Sequence, residues 1–527
     1  MRVESALASW RFHRRPLIVF GLFVAGAYAA YEAAQYVIND DMTGLAYGAM
    51  CIVGGAVVVA ILNNWRNGVY LFLSWLLFED FARKFLGNNM AIYFAKDFLV
   101  LVVYISFFAA FRRKEVPFFR PPFLMPLLIF VWFGAMQVFN PASTHIMYGL
   151  MGFKMFFYYI PLVFIGYALL NSEAELRRFF TVNLVLVLII VSLGIAQSII
   201  GPSFLNPAVQ ADDLRLLSNT YRVSANGQSA YRPTSVFVSG GRYADFTMVA
   251  WMVVLGFSGY LLLRHKKGRA LAFIAIPVTA AGAFLTASRG AFLWGIINAA
   301  VTSVAFIWGA PWRQGEALKV FRSIQRVVIG MALGIILLFY AYPDALLSRL
   351  AIYQETLLPD SSNYELTHRA WTYPVDNFLG AFNYERWPYG YGIGTSGLGG
   401  QYVARIFKVK PVGVGVESGY GALVLELGIV GLILWLVMSV AIVFAAWKVV
   451  NGLKGSPWFP LGFAIFWYAF VLLFPATFGG IQAYEDFLLN AYLWLLLGLL
   501  FRLPTLAPSA QFAANAPLTQ PARRWIR

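Results

Sequence analysis

The stretch GVESGYGALVLELGIVGLILWLVMSVAIVFAAW, Gly415 to Trp447, decides the fold class of this chain. From Ser418 to Trp447 its one charged side chain is Glu426, and the run exceeds the roughly 20 apolar residues that a helix needs to cross a hydrocarbon core. A helix apolar on every face has to be buried in protein or lipid. Working outward, similar runs precede it at Pro16 to Ile38, Gly44 to Leu62, Gly68 to Phe78, Ala91 to Phe111, Phe123 to Phe139, Gly149 to Leu170 and Phe179 to Ile200. They continue at Tyr243 to Leu263, Ala270 to Thr286, Ala291 to Ala310 and Val327 to Tyr342, and resume after it at Trp458 to Phe478 and Phe487 to Phe501. The pattern predicts an all-α integral membrane protein with about 14 spanning helices. Gly68 to Phe78 is short, and spans only by borrowing interfacial residues such as Trp65 and Phe81.

Composition agrees. Of 527 residues 60% are hydrophobic and 12% charged, too few charges to cover a soluble surface of this size. The net charge of +16 is spread in short clusters between apolar runs, which reads as membrane topology rather than a nucleic-acid footprint. The single cysteine, Cys51, excludes a disulfide framework and a Cys-based metal site. The first run, Pro16 to Ile38, is long enough to span and lacks a small-residue cleavage site, so it is expected to remain as a helix.

Alternating the runs across the bilayer puts the strongly basic connections on one side: Arg11 to Arg15, Arg112 to Lys114, Arg264 to Arg269, Arg313 to Arg326, and Arg502 with the Arg523 to Arg527 tail. The positive-inside rule makes that side cytoplasmic, and both termini with it. The two long connections then emerge on the opposite face, where any chemistry is expected. The resulting organisation is an N-terminal bundle over 1–200, a first long outer loop over 201–241 and central helices over 242–342. A large outer loop over 343–416, C-terminal helices over 417–503 and an unstructured tail over 504–527 complete it. No internal repeat is visible, which disfavours inverted-repeat transporter folds.

Three arginines stand in these outer segments or beside them: Arg232 in YRPT, Arg289 in TASRG and Arg369 in HRAW. A guanidinium at a membrane edge suits a diphosphate, because its fork makes bidentate bonds and keeps its proton. The alternative for each is an interfacial arginine that snorkels. Arg289 occupies a minimal turn on the face where few arginines are expected. Glu417 lies at the outer end of the 418–447 helix, with Tyr420 three residues on sharing its face, so it is a candidate general base for a sugar hydroxyl. The alternative is a carboxylate stabilised by the helix's first-turn amides. Glu426, on the opposite face and about 13 Å deeper, reads as a buried structural carboxylate. Lys96, Asp97 and Lys154 are intramembrane charges that must face the bundle interior; Lys154 suits a lipid-linked phosphate or an internal ion pair.

Two patterns are set aside. Gly392-Ile393-Gly394-Thr395-Ser396-Gly397 imitates a dinucleotide loop but has no strand-helix-strand unit around it. His13, His145, His265 and His368 show no helical metal spacing. No metal, no cofactor and no nucleic-acid partner is expected, and without a Walker loop ATP does not drive the protein.

The chain resembles the O-antigen ligase and O-antigen polymerase superfamily of bacterial envelope glycan enzymes. The resemblance rests on Arg232-Pro233-Thr234, Ser288-Arg289-Gly290, Arg369 with Trp371, Gly390 to Thr395, and Glu417 to Gly431, and covers mainly Tyr231 to Leu432. It implies a GT-C-like helical fold in the inner membrane, with short helices in its two periplasmic loops. It also implies metal-independent glycosyl transfer from an undecaprenyl-diphosphate-linked glycan donor to a glycan acceptor. Arg289 and Arg369 with Glu417 would be catalytic, while Arg232, Tyr420, Lys154 and Trp371 would bind substrate; a chain-length regulator is a further possible partner beside the membrane lipids. Ligases of this superfamily carry a histidine where this chain has Glu417, which argues against a lipid A core ligase; the leading expectation is a polymerase of repeat units. A ligase that moves a finished glycan and a transporter or flippase of the lipid-linked oligosaccharide are the alternatives.

Overall fold

Long apolar runs flanked by caps and aromatic residues form helices, because in lipid every backbone polar group must be satisfied within the segment. In the computed structural model of the chain the described residues are 42–87, 90–207, 216–224, 227–264, 269–311, 339–358, 368–481 and 484–506, with isolated positions between 325 and 336. The expected first helix, Pro16 to Ile38, the tail after Leu506 and much of Val327 to Tyr342 lie outside them.

In chain order the helices are α1 (Met42–Asn63), α2 (Trp65–Leu86), α3 (Met90–Arg112), α4 (Leu124–Gln137), α5 (Ile146–Phe157), α6 (Leu162–Leu169) and α7 (Glu173–Ile200). A two-stranded antiparallel ribbon follows, β1 (Tyr221–Val223) and β2 (Ser229–Tyr231), with Arg222 opposite Ala230. Then come α8 (Gly240–Arg264), α9 (Arg269–Leu285), α10 (Arg289–Gly309), α11 (Pro343–Leu357), α12 (Tyr373–Gly380), α13 (Leu398–Phe407), α14 (Gly419–Gly452), α15 (Phe459–Val471) and α16 (Phe487–Leu506).

Eight helical segments among the described residues are long and apolar enough to cross a membrane, so this is a multi-pass, mostly helical membrane protein. Ile52–Asn63, Leu124–Gln137 and Arg269–Leu285 are apolar but shorter. The short run Gly68 to Phe78 sits inside α2, whose last turns carry Glu79, Asp80, Arg83 and Lys84, all buried. The run Gly149 to Leu170 is split into α5 and α6 at Pro161, which has no N–H to continue the helix.

The chain divides into two compact units, 42–72 with 97–109, and 73–96 with the residues from 110 onward. In the first, Ser106 Oγ donates to the Ile61 carbonyl at 3.0 Å, and the Trp65 and Phe107 rings meet edge to face. The second contains every element described below.

Within it α14 is broken. Gly428 has φ +71 and ψ −178, a conformation that glycine alone adopts readily, so the ladder is interrupted there. The freed carbonyls of Leu425 and Glu426 accept instead from the backbone N–H groups of Tyr391 (2.7 Å) and Gly392 (3.0 Å). The Glu426 carboxylate, fully buried, accepts from Gly394 N (2.9 Å), Ser396 N (3.0 Å) and Ser396 Oγ (2.9 Å). On its other side this loop presses on α5, where a side chain at Gly152 or Gly394 would run into the backbone of the other. The glycine-rich 390–397 segment is therefore a wedge that satisfies a broken helix. Glu426 is the structural carboxylate its sequence position indicates.

Candidate functional site

The segment 231–238 looks like a loop in sequence, yet most of it is buried, so its backbone needs internal partners. Gln197 of α7 accepts from Thr234 N (2.8 Å) and Ser235 N (2.7 Å), while its amide donates to the Phe204 carbonyl (2.7 Å). Lys84 of α2 donates to Thr234 Oγ1 (2.8 Å) and the Ser235 carbonyl (2.9 Å), and Ser235 Oγ donates to the Ile190 carbonyl (2.6 Å). Asp80 accepts from Val238 N and pairs with Arg83 (3.0 Å) and Arg242 (2.7 Å). Replacing Lys84 with methionine keeps the volume but leaves two buried acceptors short of a donor, a cost of about 1–3 kcal/mol. The thermal midpoint in detergent should fall accordingly; an unchanged midpoint contradicts the role of Lys84 as a latch.

This seat presents Arg232 half-buried, its Cβ beside Gly240 at the start of α8. Burial holds the Arg232 guanidinium below its ordinary pKa, against the pull of Asp245 and Tyr353, and its buried Nε has no hydrogen-bond partner among the described residues. Burial likewise pushes the neighbouring Tyr231 phenol up to about 12, so it stays a donor, to the Ser218 carbonyl at 2.9 Å.

Arg289 is the first residue of α10, just past a corner in which Ala287 has φ +51 and Ser288 caps the helix. Over this corner lies α11, whose Ile352 and Tyr353 pack with Ala230 and Ala287, flanked by Phe284 and Phe292. Arg349 of α11, 2% exposed, donates from Nε to the Leu285 carbonyl (2.9 Å) and from Nη2 to the Tyr231 carbonyl (3.0 Å). Burial lowers its guanidinium to about 10, which leaves it cationic near neutral pH. Three segments far apart in sequence therefore meet: the ribbon that leads into Arg232, the corner that leads into Arg289, and the start of the second long loop. Arg369 lies on a single π-turn, His368–Thr372, and its side chain is outside the described residues.

Arg349 was missed in sequence because it belongs to no motif. The available signal was its place in α11 between Leu346 and Tyr353, three residues after one buried apolar side chain and four before the other.

Glu417 is exposed at the start of α14. Ser418, not Glu417, caps that helix, accepting from Gly421 N. The Tyr373 hydroxyl donates to the carboxylate of Glu417, whose backbone N–H donates to Asn377 Oδ1 (3.2 Å). Tyr420 does not orient Glu417: its hydroxyl donates to the Leu473 carbonyl (2.9 Å), because α14 turns that face toward the π-turn Leu472–Ala476 that follows α15. Tyr373, brought in by α12, takes the place expected of Tyr420. Trp371 is 67% exposed.

The intramembrane charges form a second cluster. Lys96 pairs with Glu79 (3.0 Å) and lies over the Tyr93 ring (3.6 Å) and the Phe487 ring (4.2 Å). Arg242 lies over the Phe487 ring at 4.2 Å, and Lys154 lies 5.5 Å from the Tyr93 ring and 5.1 Å from the Phe94 ring. A small cavity lined by Asp80, Arg242, Asp245, Asp486, Phe237 and Phe487 adjoins it. Asp486 also caps α16, accepting from Leu488 N (2.8 Å) and Leu489 N (2.9 Å). Aromatic faces and carboxylates together offset the cost of burying Lys96 and half-burying Arg242 and Lys154. Among the described residues no three His, Cys, Asp or Glu side chains are grouped to hold a metal ion.

No protein-family model, no curated protein and no solved structure matches the chain.

Proposed function

We propose that this protein is a glycosyltransferase of the bacterial inner membrane that polymerises undecaprenyl-diphosphate-linked repeat units into an exopolysaccharide or O-antigen on the periplasmic face. The observation that carries the reading is the junction beneath Arg349, where the segments bearing Arg232 and Arg289 are packed against one helix. The positive-inside alternation assigns that junction to the periplasmic side.

Chemically, the acceptor hydroxyl attacks the anomeric carbon of the lipid-linked sugar. The bond from that carbon to the diphosphate oxygen breaks, the leaving diphosphate keeps the electron pair, and the hydroxyl proton passes to a base. Arginines steady the growing negative charge in a site of low dielectric, and no ATP is consumed. Glu417, with its carboxylate held by Tyr373 and facing solvent, is the base we assign. Glu417→Gln keeps the Tyr373 contact but cannot take the proton, so transfer should fall about a hundredfold with an unchanged melting midpoint. Initial rates on purified protein check this, and a rate near that of the parent removes Glu417 from the mechanism.

Purified protein in detergent, given undecaprenyl-diphosphate oligosaccharide, should lengthen the glycan without a sealed membrane. Release of finished glycan onto a different acceptor would favour the ligase reading. Unchanged glycan, with uptake only in sealed vesicles, would favour a transporter, for which the Lys96, Glu79 and Arg242 cluster is the supporting feature. Against transport stands the broken helix α14: its free carbonyls and Glu426 are consumed by the 390–397 loop rather than offered to an ion.

A further inference from the structure

We propose that Arg349 is a positioning residue, whose buried guanidinium joins the Tyr231 carbonyl to the Leu285 carbonyl and so fixes the spacing between Arg232 and Arg289. Each acceptor is placed where a small shift is passed on directly. Tyr231 ends β2 and immediately precedes Arg232, while Leu285 ends α9 and only the Thr286-Ala287-Ser288 corner separates it from Arg289.

Carbonyls in the last turn of a helix have no partner within it and sit at the negative end of its dipole. Two successive ones on α9 are taken by side chains one turn apart on α11: Leu285 by Arg349, and Phe284 by the Tyr353 hydroxyl at 2.6 Å. The Tyr353 ring stacks on Phe292 at 4.3 Å, so the same helix also grips the first turn of α10. A guanidinium suits this task because its N–H groups point in fixed, divergent directions and reach two carbonyls from different segments at once. An ammonium at the same place is a compact donor on a flexible stem. At 2% exposure Arg349 has no surface to offer a ligand, which separates positioning from binding.

The test uses the full-length protein with Cys51→Ser, which removes the only native thiol. Spin labels on Arg232→Cys and Arg289→Cys report the distance between the two segments by pulsed electron resonance. The parent should give one narrow distance distribution, and Arg349→Met should broaden or shift it. If Arg349→Met fails to fold, Arg349→Lys decides: it keeps the charge but not the fork, and its distribution should be broader than the parent's. An unchanged narrow distribution in folded Arg349→Lys overturns the proposal.

The kinetic arm rests on the glycosyl-transfer reading. With Arg232 and Arg289 intact, Arg349→Lys should raise KM for the lipid-linked donor about tenfold at an unchanged yield of folded protein, because the two diphosphate ligands no longer hold their separation. A change confined to yield would overturn positioning. If even the parent transfers no sugar, the glycosyl reading fails while the distance measurement still judges Arg349.

Discussion

Arg289→Ala is expected to reduce sugar transfer by about a hundredfold or more while the protein still inserts and folds, and Arg232→Ala should do the same. The size of the effect follows from where the charge is spent. A diphosphate leaving group gains negative charge as its bond to the sugar stretches, and a preorganised guanidinium in a water-poor site stabilises that charge without reorganising. Lysine at either position should recover part of the rate, since it supplies charge but not the bidentate fork. Stability should change little at Arg289, which is half-buried on the first turn of α10 and whose helix is capped by Ser288. Rates on lipid-linked substrate, normalised to folded protein by size exclusion, measure the effect. Near-parental polymer synthesis by the Arg232, Arg289 and Arg369 alanine variants would remove the diphosphate cage from the proposal.

The second large effect is on folding. Glu426→Ala should lower stability by about 3 kcal/mol or more, because it leaves the N–H groups of Gly394 and Ser396 buried without acceptors and opens a cavity where α14 is broken. Glu426→Gln should cost less: one amide oxygen can still accept, and the Ser396 hydroxyl can turn to accept from the amide nitrogen. Thermal midpoints in detergent separate a hydrogen-bonding role from a packing role through the glutamine variant, which keeps the side-chain volume but loses one acceptor oxygen. A glutamine variant that melts with the parent would mean that the carboxylate only fills space.

These two expectations differ in how legible they were. Glu426 could be recognised as structural because a lone carboxylate deep in an apolar helix needs dedicated partners, although nothing local said that the partners would be Gly394 and Ser396. Arg232 and Arg289 could be singled out as charges in membrane-edge turns. That the two segments share one support was invisible, since the support, Arg349, stands in no motif and acts on backbone carbonyls that any residue provides. The expectation that Tyr420 faces Glu417 failed for a related reason. Helical spacing placed it on the same face as Glu417, but its hydroxyl is taken by the π-turn that follows α15, and Tyr373 arrives from another segment.

By itself the amino-acid sequence determined the solvent and the positions of most helices, because lipid imposes a length and an apolar composition that each segment must meet alone. Tertiary structure decided the partners: Lys96 with Glu79, Lys84 with Thr234, the 390–397 wedge with the break at Gly428, and Arg349 with two distant carbonyls. A buried charge states that a partner must exist. Only the packing of helices far apart in sequence selects which one it is.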